Sequence, residues 1–379
     1  MTYDFSTAIE RRGTNSIKWD TVPGDVIPMF IADADWATAP AVVASVRRRL
    51  DGHPVFAYGH DDFGLTDNVL AWYRRKYSLE VPREWVVLIQ GIVPALVNLS
   101  KLSEKGVLTT APNYGSLLSA PARVGKRSVV SRLRENVSGT RLTYEWDYAD
   151  LAEKAKSSDI LYLCNPHNPI GRAYTREELA RTADFARQNN LLTVSDEIHC
   201  EILLGATHTP WFSVKPENSV TLVSSGKICN MPGIPIAIAI VPDEALRARV
   251  RAALGTSTVY GGILNAAAAS GAFSEECDAW KADFTAYLTK NRDWLDEQLP
   301  KRLPRARATY TEATYLQWLD LSDYALGDAT KYLREHAKVQ LTEGVPFGGA
   351  EHHVRINFAT TRERLSEALT RIEEAVRDK

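Results

Sequence analysis

Lys227 stands in the stretch SSGKICN (Ser224 to Asn230), between two apolar segments that read as buried strands, NSVTLV before it and MPGIPIAIAIV after it. An ammonium in that setting has two explanations. It pairs with a carboxylate as a structural ion, or the segment exists for the chemistry of the amine, since a desolvated lysine shifts its pKa and can act as nucleophile or base. The local sequence leaves both open. Asn168 and Asp196 narrow the choice. They follow the compact apolar runs DILYLC (Asp159 to Cys164) and LLTVS (Leu191 to Ser195), as Lys227 follows SVTLVSS. If those runs are parallel neighbours, the three side chains meet at the carboxyl ends of strands, where open α/β sheets bind ligands. A structural lysine needs no such company; a cofactor site does.

The intervening segments favour that arrangement. Thr175 lies three residues ahead of Glu178, a capping box, and Leu179, Ala183 and Ala186 follow at helical spacing until the pair Asn189–Asn190. The order strand–loop–helix–strand–loop–strand predicts parallel pairing. Upstream, EWVVLIQGIVPALVNLSKL predicts a strand from Trp85 to Ile89, a turn at Gly91 and an apolar helix starting near Pro94. A glycine turn feeding a helix amino terminus can cradle an anion, though alone it is a weak signal. GVLTTAPNYGSLLSA offers a further strand, a Pro–Asn turn and Tyr114 at the start of another helix, and YEWDYADLAEK reads as a local excursion within the same domain. Past Cys277 the pattern changes. A long helix over AWKADFTAYLTKNRDWLDEQL leads to the strand-like ATYTEATYLQWLDL, a helix near DATKYLREHA, the strand HHVRINFA and a last helix with Leu365, Leu369, Ile372 and Val376 on one face. The expected organisation is α/β: a large domain over 46–285 with a mostly parallel sheet, and a smaller α+β domain formed by 1–45 and 286–379.

Bulk properties exclude several classes. A chain of 379 residues suits a large domain plus a smaller one, and 45 basic against 47 acidic residues, net −2, leave no electrostatic footprint for nucleic acid or an anionic membrane. No apolar run approaches the roughly 20 residues that span a bilayer, and MTYDFSTAIERRG lacks a signal peptide's apolar core. Cys164, Cys200, Cys229 and Cys277 form no CxxC and read as reduced thiols of a cytoplasmic protein. His199 beside Cys200 has no second ligand pair at metal-binding spacing, so no metal is expected.

In combination the motifs TNSIKWD, IPMFIADADW, FAYG, QGIVPAL, CNPHNPIGR, SDEIH and VRINFA, with a lysine after SSG, resemble the fold-type-I pyridoxal-phosphate enzymes of the aspartate aminotransferase superfamily. More narrowly they resemble its cystathionine β-lyase branch, which includes the maltose-regulon modulator, and the likeness runs nearly the whole chain. The resemblance implies pyridoxal 5'-phosphate as cofactor and Lys227 as the Schiff-base lysine. It implies Asp196 at the pyridine nitrogen, Asn168 and His199 near the phenolic oxygen, and Tyr114 stacked on the ring. Gly91, Ile92 and Val93, with Ser224, would hold the phosphate, and Tyr58 would reach it from a second subunit of a homodimer. Arg355 would clamp the α-carboxylate of an amino-acid substrate. These residue types suit the chemistry: a carboxylate keeps the ring nitrogen protonated, an amine exchanges imines and then serves as base, and guanidinium matches a carboxylate with a planar fork. Glu197, adjacent to Asp196, is expected to be structural.

The expected reaction is β-elimination from a cysteine S-conjugate to thiol, pyruvate and ammonia. Aminotransferases commonly carry a phosphate-binding arginine eight residues after the lysine; Pro235 occupies that place here, as the lyase branch also lacks it. The chain departs from its branch as well. The usual SKTFN reads GKICN, with Gly226 replacing a serine, and IADADW replaces ADMDF, which alters the wall beside the substrate side chain through Ala34 and Trp36. Relatives in lincosamide-antibiotic pathways resemble such a diverted lyase, which implies a specialised natural-product substrate. Decarboxylation coupled to oxidative deamination and transamination remain alternatives, as does a regulatory role in modulating a transcription factor.

Overall fold

A computed structural model describes residues 2–52, 54–56, 62–255 and 262–379. Its main sheet has seven strands: β1 (Val86–Ile89), β2 (Val107–Ala111), β3 (Ser128–Arg132), β4 (Ile160–Cys164), β5 (Leu192–Asp196), β6 (Ser219–Val223) and β7 (Ala237–Ile240). Their order is β1-β7-β6-β5-β4-β2-β3. Neighbours from β6 to β3 pair in parallel, and β7 runs antiparallel to both β6 and β1. Every residue of β4, β5, β6 and β7 is buried, as expected of strands covered on both faces. The reversal at β7 has a simple cause. The connection 224–236 contains no crossover helix, and without one the chain returns beside β6 in the opposite direction.

The helix between β4 and β5, Arg176–Gln188, starts at the expected capping box: the Thr175 hydroxyl accepts the Glu178 N–H and the Glu178 carboxylate accepts the Thr175 N–H. It buries Leu179, Ala183 and Ala186 against the sheet. Register then aligns the strand ends, with Cys164 opposite Asp196 and Asp196 opposite Leu222. The loops that follow β4, β5 and β6 therefore emerge side by side.

A second sheet places His353–Asn357 between Thr342–Glu343 and Leu316–Asp320, followed by Arg307–Ala308. It continues into a hairpin from far upstream, Arg134–Ser138 and Arg141–Glu145. The excursion around YEWDYADLAEK thus begins in the second-to-last strand of this second sheet, joined through Ala308 to Arg141 and by an Arg141–Asp296 ion pair to the helix Asp278–Arg302. Only the following helix, Tyr148–Ala155, lies on the main sheet, buried through Leu151 and Ala155. The expected confinement of this excursion to the large domain therefore does not hold for its first residues, because sheet membership came from contacts distant in sequence. The last helix, Arg362–Val376, buries Leu365, Leu369, Ile372 and Val376 as expected.

The amino-terminal segment is tied to this second unit. Lys18 and Asp35 form a fully buried ion pair that Arg364 joins, and Trp36 packs edge-on against Phe5, Phe284 and Tyr287. The boundaries read from sequence, near 45 and 285, fall inside the helices Pro40–Gly52 and Asp278–Arg302. Among the described residues no helix is long and apolar enough to cross a membrane.

Candidate functional site

Asp196 closes β5 and is 2% exposed. Its carboxylate accepts the Ile198 N–H at 3.2 Å and forms no ion pair with a basic side chain among the described residues. Burial, reinforced by the neighbouring Glu197 charge, raises its pKa to about 7. Glu197 itself faces elsewhere, accepting from the Ser195 hydroxyl and the Trp211 N–H and meeting His208 at 2.9 Å, so its oxygens are occupied in the core. Lys227 follows β6, partly buried, and its Nζ donates to the Ala32 carbonyl at 2.7 Å. Burial, then the Arg355 charge, lowers its pKa to about 8 against the opposing pull of Asp33 and Asp196.

Arg355 enters from the second sheet. It is 4% exposed and donates to Asn168 Oδ1 at 2.8 Å and to the Thr342 hydroxyl at 3.3 Å. Its guanidinium lies 4.6 Å from the Phe347 ring centroid, its Nε has no partner, and no carboxylate pairs with it among the described residues. Burial lowers its pKa to about 10. Asn168, from the loop after β4, is thus held by the arginine.

These four residues line one cavity of about 240 Å³ together with Tyr114 and His199. His199 is buried, its Nδ1 has no partner, and burial with the nearby Lys227 and Arg355 charges keeps the ring neutral. Ile92 and Val93 contribute the start of the helix Ile92–Leu99, whose N-cap is Gly91 with φ of 135°. Such a turn delivers unpaired first-turn N–H groups toward the cavity. The cavity also takes in Cys164, Ile198, Ile31 and Ala32, which sequence reasoning missed. Cys164 and Ile198 were signalled by their positions at the ends of β4 and β5. Ile31 and Ala32 come from a remote segment with no such signal.

Other expected site residues lie elsewhere. Gly91 sets the turn without lining the cavity. Ser224 is off the wall; its hydroxyl donates to the Ile236 carbonyl at 3.1 Å and accepts the Gly226 N–H. Ala34 is fully buried, its backbone paired with Asn230, and Trp36 lines a second, adjoining cavity. Tyr58 lies outside the described residues.

The cavity therefore collects a buried carboxylate without a cation, a buried guanidinium without a carboxylate, and an amine bonded to a peptide carbonyl. Burying unpaired ions is costly, so the arrangement makes physical sense as one that receives a ligand with a cationic ring nitrogen, an electrophilic carbon and a carboxylate. Pyridoxal phosphate with an amino acid has those three groups.

The family model for aminotransferase class I and II matches residues 26–372. The chain belongs to this family. Within the aminotransferase class I and II family it is 31% identical to cystathionine beta-lyase PatB of Bacillus subtilis, over 98% of this chain and 100% of that one. It is 27% identical to protein MalY of Escherichia coli, over 99% of each. Among solved structures, the PLP-bound C-S lyase from Staphylococcus hominis superposes with a TM-score of 0.91 at 29% identity, over 99% and 98% of the two chains. Cystalysin from Treponema denticola, which contains pyridoxal 5'-phosphate, gives 0.92 at 26% over the whole of both. This aminotransferase-family chain also groups Asp320, His352 and His353 where two interior strands of the second sheet pair, Asp320 opposite His353. His353 Nδ1 accepts the Ala350 N–H, which leaves the proton on Nε2, the atom a metal would need.

Proposed function

We propose that this chain is a pyridoxal-phosphate-dependent C–S β-lyase that cleaves a cysteine S-conjugate, a specialised natural product, to thiol, pyruvate and ammonia. The observation that supports it most is the gathering of Lys227, Asp196 and Arg355, each without an ion-pair partner among the described residues, around one cavity. Pyridoxal phosphate, when bound, supplies an aldehyde that takes an amine and a ring that accepts the electron pair released at Cα.

The chain's residues would act as follows. Asp196, whose pKa burial raises to about 7, holds the proton on the ring nitrogen. Tyr114 stacks on the ring face, and Asn168 with neutral His199 borders the phenolic oxygen. The amides of Ile92 and Val93 receive the phosphate; the Ser224 hydroxyl, already donating to Ile236, contributes no donor. Arg355 holds the substrate carboxylate and so fixes which Cα bond faces the lysine. Lys227, with a pKa near 8, has an appreciable free-amine fraction at neutral pH. It takes the Cα proton and returns a proton to the departing sulfur as the Cβ–S bond breaks. One water is consumed overall. Pro235, in place of the arginine common in aminotransferases, favours elimination over transamination. A homodimer in which Tyr58 reaches the phosphate of the other subunit completes the site.

Purified protein should be yellow and should release thiol and pyruvate in equal amounts from a cysteine thioether. The Lys227→Ala variant should be colourless and inactive. Carbon dioxide with an aldehyde, or a stoichiometric oxo acid with the pyridoxamine form, would overturn the lyase assignment.

A further inference from the structure

Beside the cavity just described lies a larger one of about 680 Å³, and the two share Ile31, Ala32 and Lys227. The inner chamber falls below the roughly 300–1,000 Å³ usual for small-molecule sites and must hold the ring, so little room remains there beyond Cβ of a substrate. The outer chamber is within that range. Its walls come from the amino-terminal segment and from residues 231–234, the MPGI stretch that follows the lysine.

The partition between chambers is fixed in place. Ile31 has φ of 51°, a conformation that β-branched residues rarely adopt and that persists only where the surroundings impose it. Asn357 Nδ2 imposes it, donating to the Ile31 carbonyl at 2.7 Å and to the Asp33 carbonyl at 2.8 Å. Asn357 and Arg355 lie on one strand, two residues apart and hence on one face. The strand that would anchor the substrate carboxylate therefore also sets the doorway to the outer chamber.

Charge decides what that chamber accepts. Arg11 and Asp33 pair at 3.1 Å, each side chain 15% exposed, and Arg11 donates further to the Ala34 carbonyl. Glu10 is exposed at the rim and accepts the Arg12 N–H. A distal ammonium and carboxylate, as cystathionine carries, would find Arg11 and Asp33 already paired with each other, so it could gain an ion pair only by exchanging partners with them. An uncharged substituent would instead meet Trp36 and Met231 inside, with Ile9 and Ile17 exposed at the mouth.

We infer that the outer chamber is the subsite for the sulfur substituent and that it selects bulky, uncharged groups over a distal amino acid. This rests on the C–S lyase reading. S-benzylcysteine should exceed cystathionine in kcat/KM by roughly tenfold or more, the discrimination an apolar pocket can supply. Parity, or a preference for cystathionine, would overturn the inference. Gly233 lines the chamber with open space where a Cβ would go, so Gly233→Phe should fold while filling it. The variant should lower the ratio of kcat/KM for S-benzylcysteine to that for S-methylcysteine by roughly tenfold; an unmoved ratio would count decisively against the subsite. If no conjugate releases thiol, the lyase reading fails while the subsite stays testable. 3-(Benzylthio)propanoate, which has no amino group, should bind the wild-type holoenzyme in calorimetry and bind Gly233→Phe roughly tenfold more weakly; equal affinity overturns the subsite on its own.

Discussion

Asp196 shows how a buried carboxylate can weaken the protein that carries it. Its ordinary pKa is 3.8, and burial raises it to about 7 in the folded chain. The unfolded chain releases that proton at lower pH, so this group subtracts stability progressively as pH rises from about 4 to about 7. Above that range the cofactor-free protein bears the full cost. The Asp196→Asn variant should then be more stable than wild type in urea at pH 8 by something on the order of 2–4 kcal/mol, with the difference gone at pH 4. Equal midpoints at pH 8 would mean that the carboxylate is not isolated. Loaded with pyridoxal phosphate, the ranking should invert, because asparagine cannot hold a ring cation. Asp196, Asn168 and Lys227 were readable in the sequence because each follows an apolar run. Arg355 was not readable that way: an arginine in a strand is ordinarily solvated, and its setting here comes from Thr342 and Phe347 on neighbouring segments and from Asn168, 187 residues away.

At the scale of elements, the turn before the helix Ile92–Leu99 sets how that helix meets the cavity. Gly91 adopts φ of 135°, where a Cβ is strained even though only Pro94 lies near it. The Gly91→Ala variant should reshape that turn and misdirect the first amides of the helix. Pyridoxal-phosphate affinity should fall by roughly tenfold or more, as read by titrating the visible absorbance, while the ratio of rates between two saturating conjugates stays the same. A change confined to that ratio would place the turn in the substrate site instead. The helix after Gly91 starts at Ile92, two residues before the expected Pro94, because proline is well accommodated in a first turn and marks the start only loosely. The hairpin 134–145 shows the other limit. Period-two burial of Leu142 and Tyr144 marks a strand, but two sheets offered it an edge. Pairing with Arg307–Ala308 and the Trp318–Tyr144 hydrogen bond decided between them.

The whole molecule brings two sheets and the amino-terminal segment to one place. The main sheet presents the lysine and the aspartate, the second sheet presents the arginine, and the segment around Ile31 closes the space between. If a homodimer completes the site through Tyr58, variants in the two positions should complement each other. Refolding Lys227→Ala together with Tyr58→Ala should form hybrids with one site that has both side chains. For random pairing, activity should recover to about a quarter of wild type. Recovery no greater than the sum of the separate variants would reject a shared site. Sequence alone determined the alternation of strand and helix, the capping box at Thr175, and the positions of the amine and the acid, since periodicity and turn chemistry act over a few residues. The tertiary structure decided which sheet each strand joined, that the Ser224 hydroxyl is occupied, and that Ile31 divides two chambers. Those outcomes depend on partners from 12 residues away, as for Ser224 and Ile236, to 326 away, as for Ile31 and Asn357, and the pattern within one element carries no information about them.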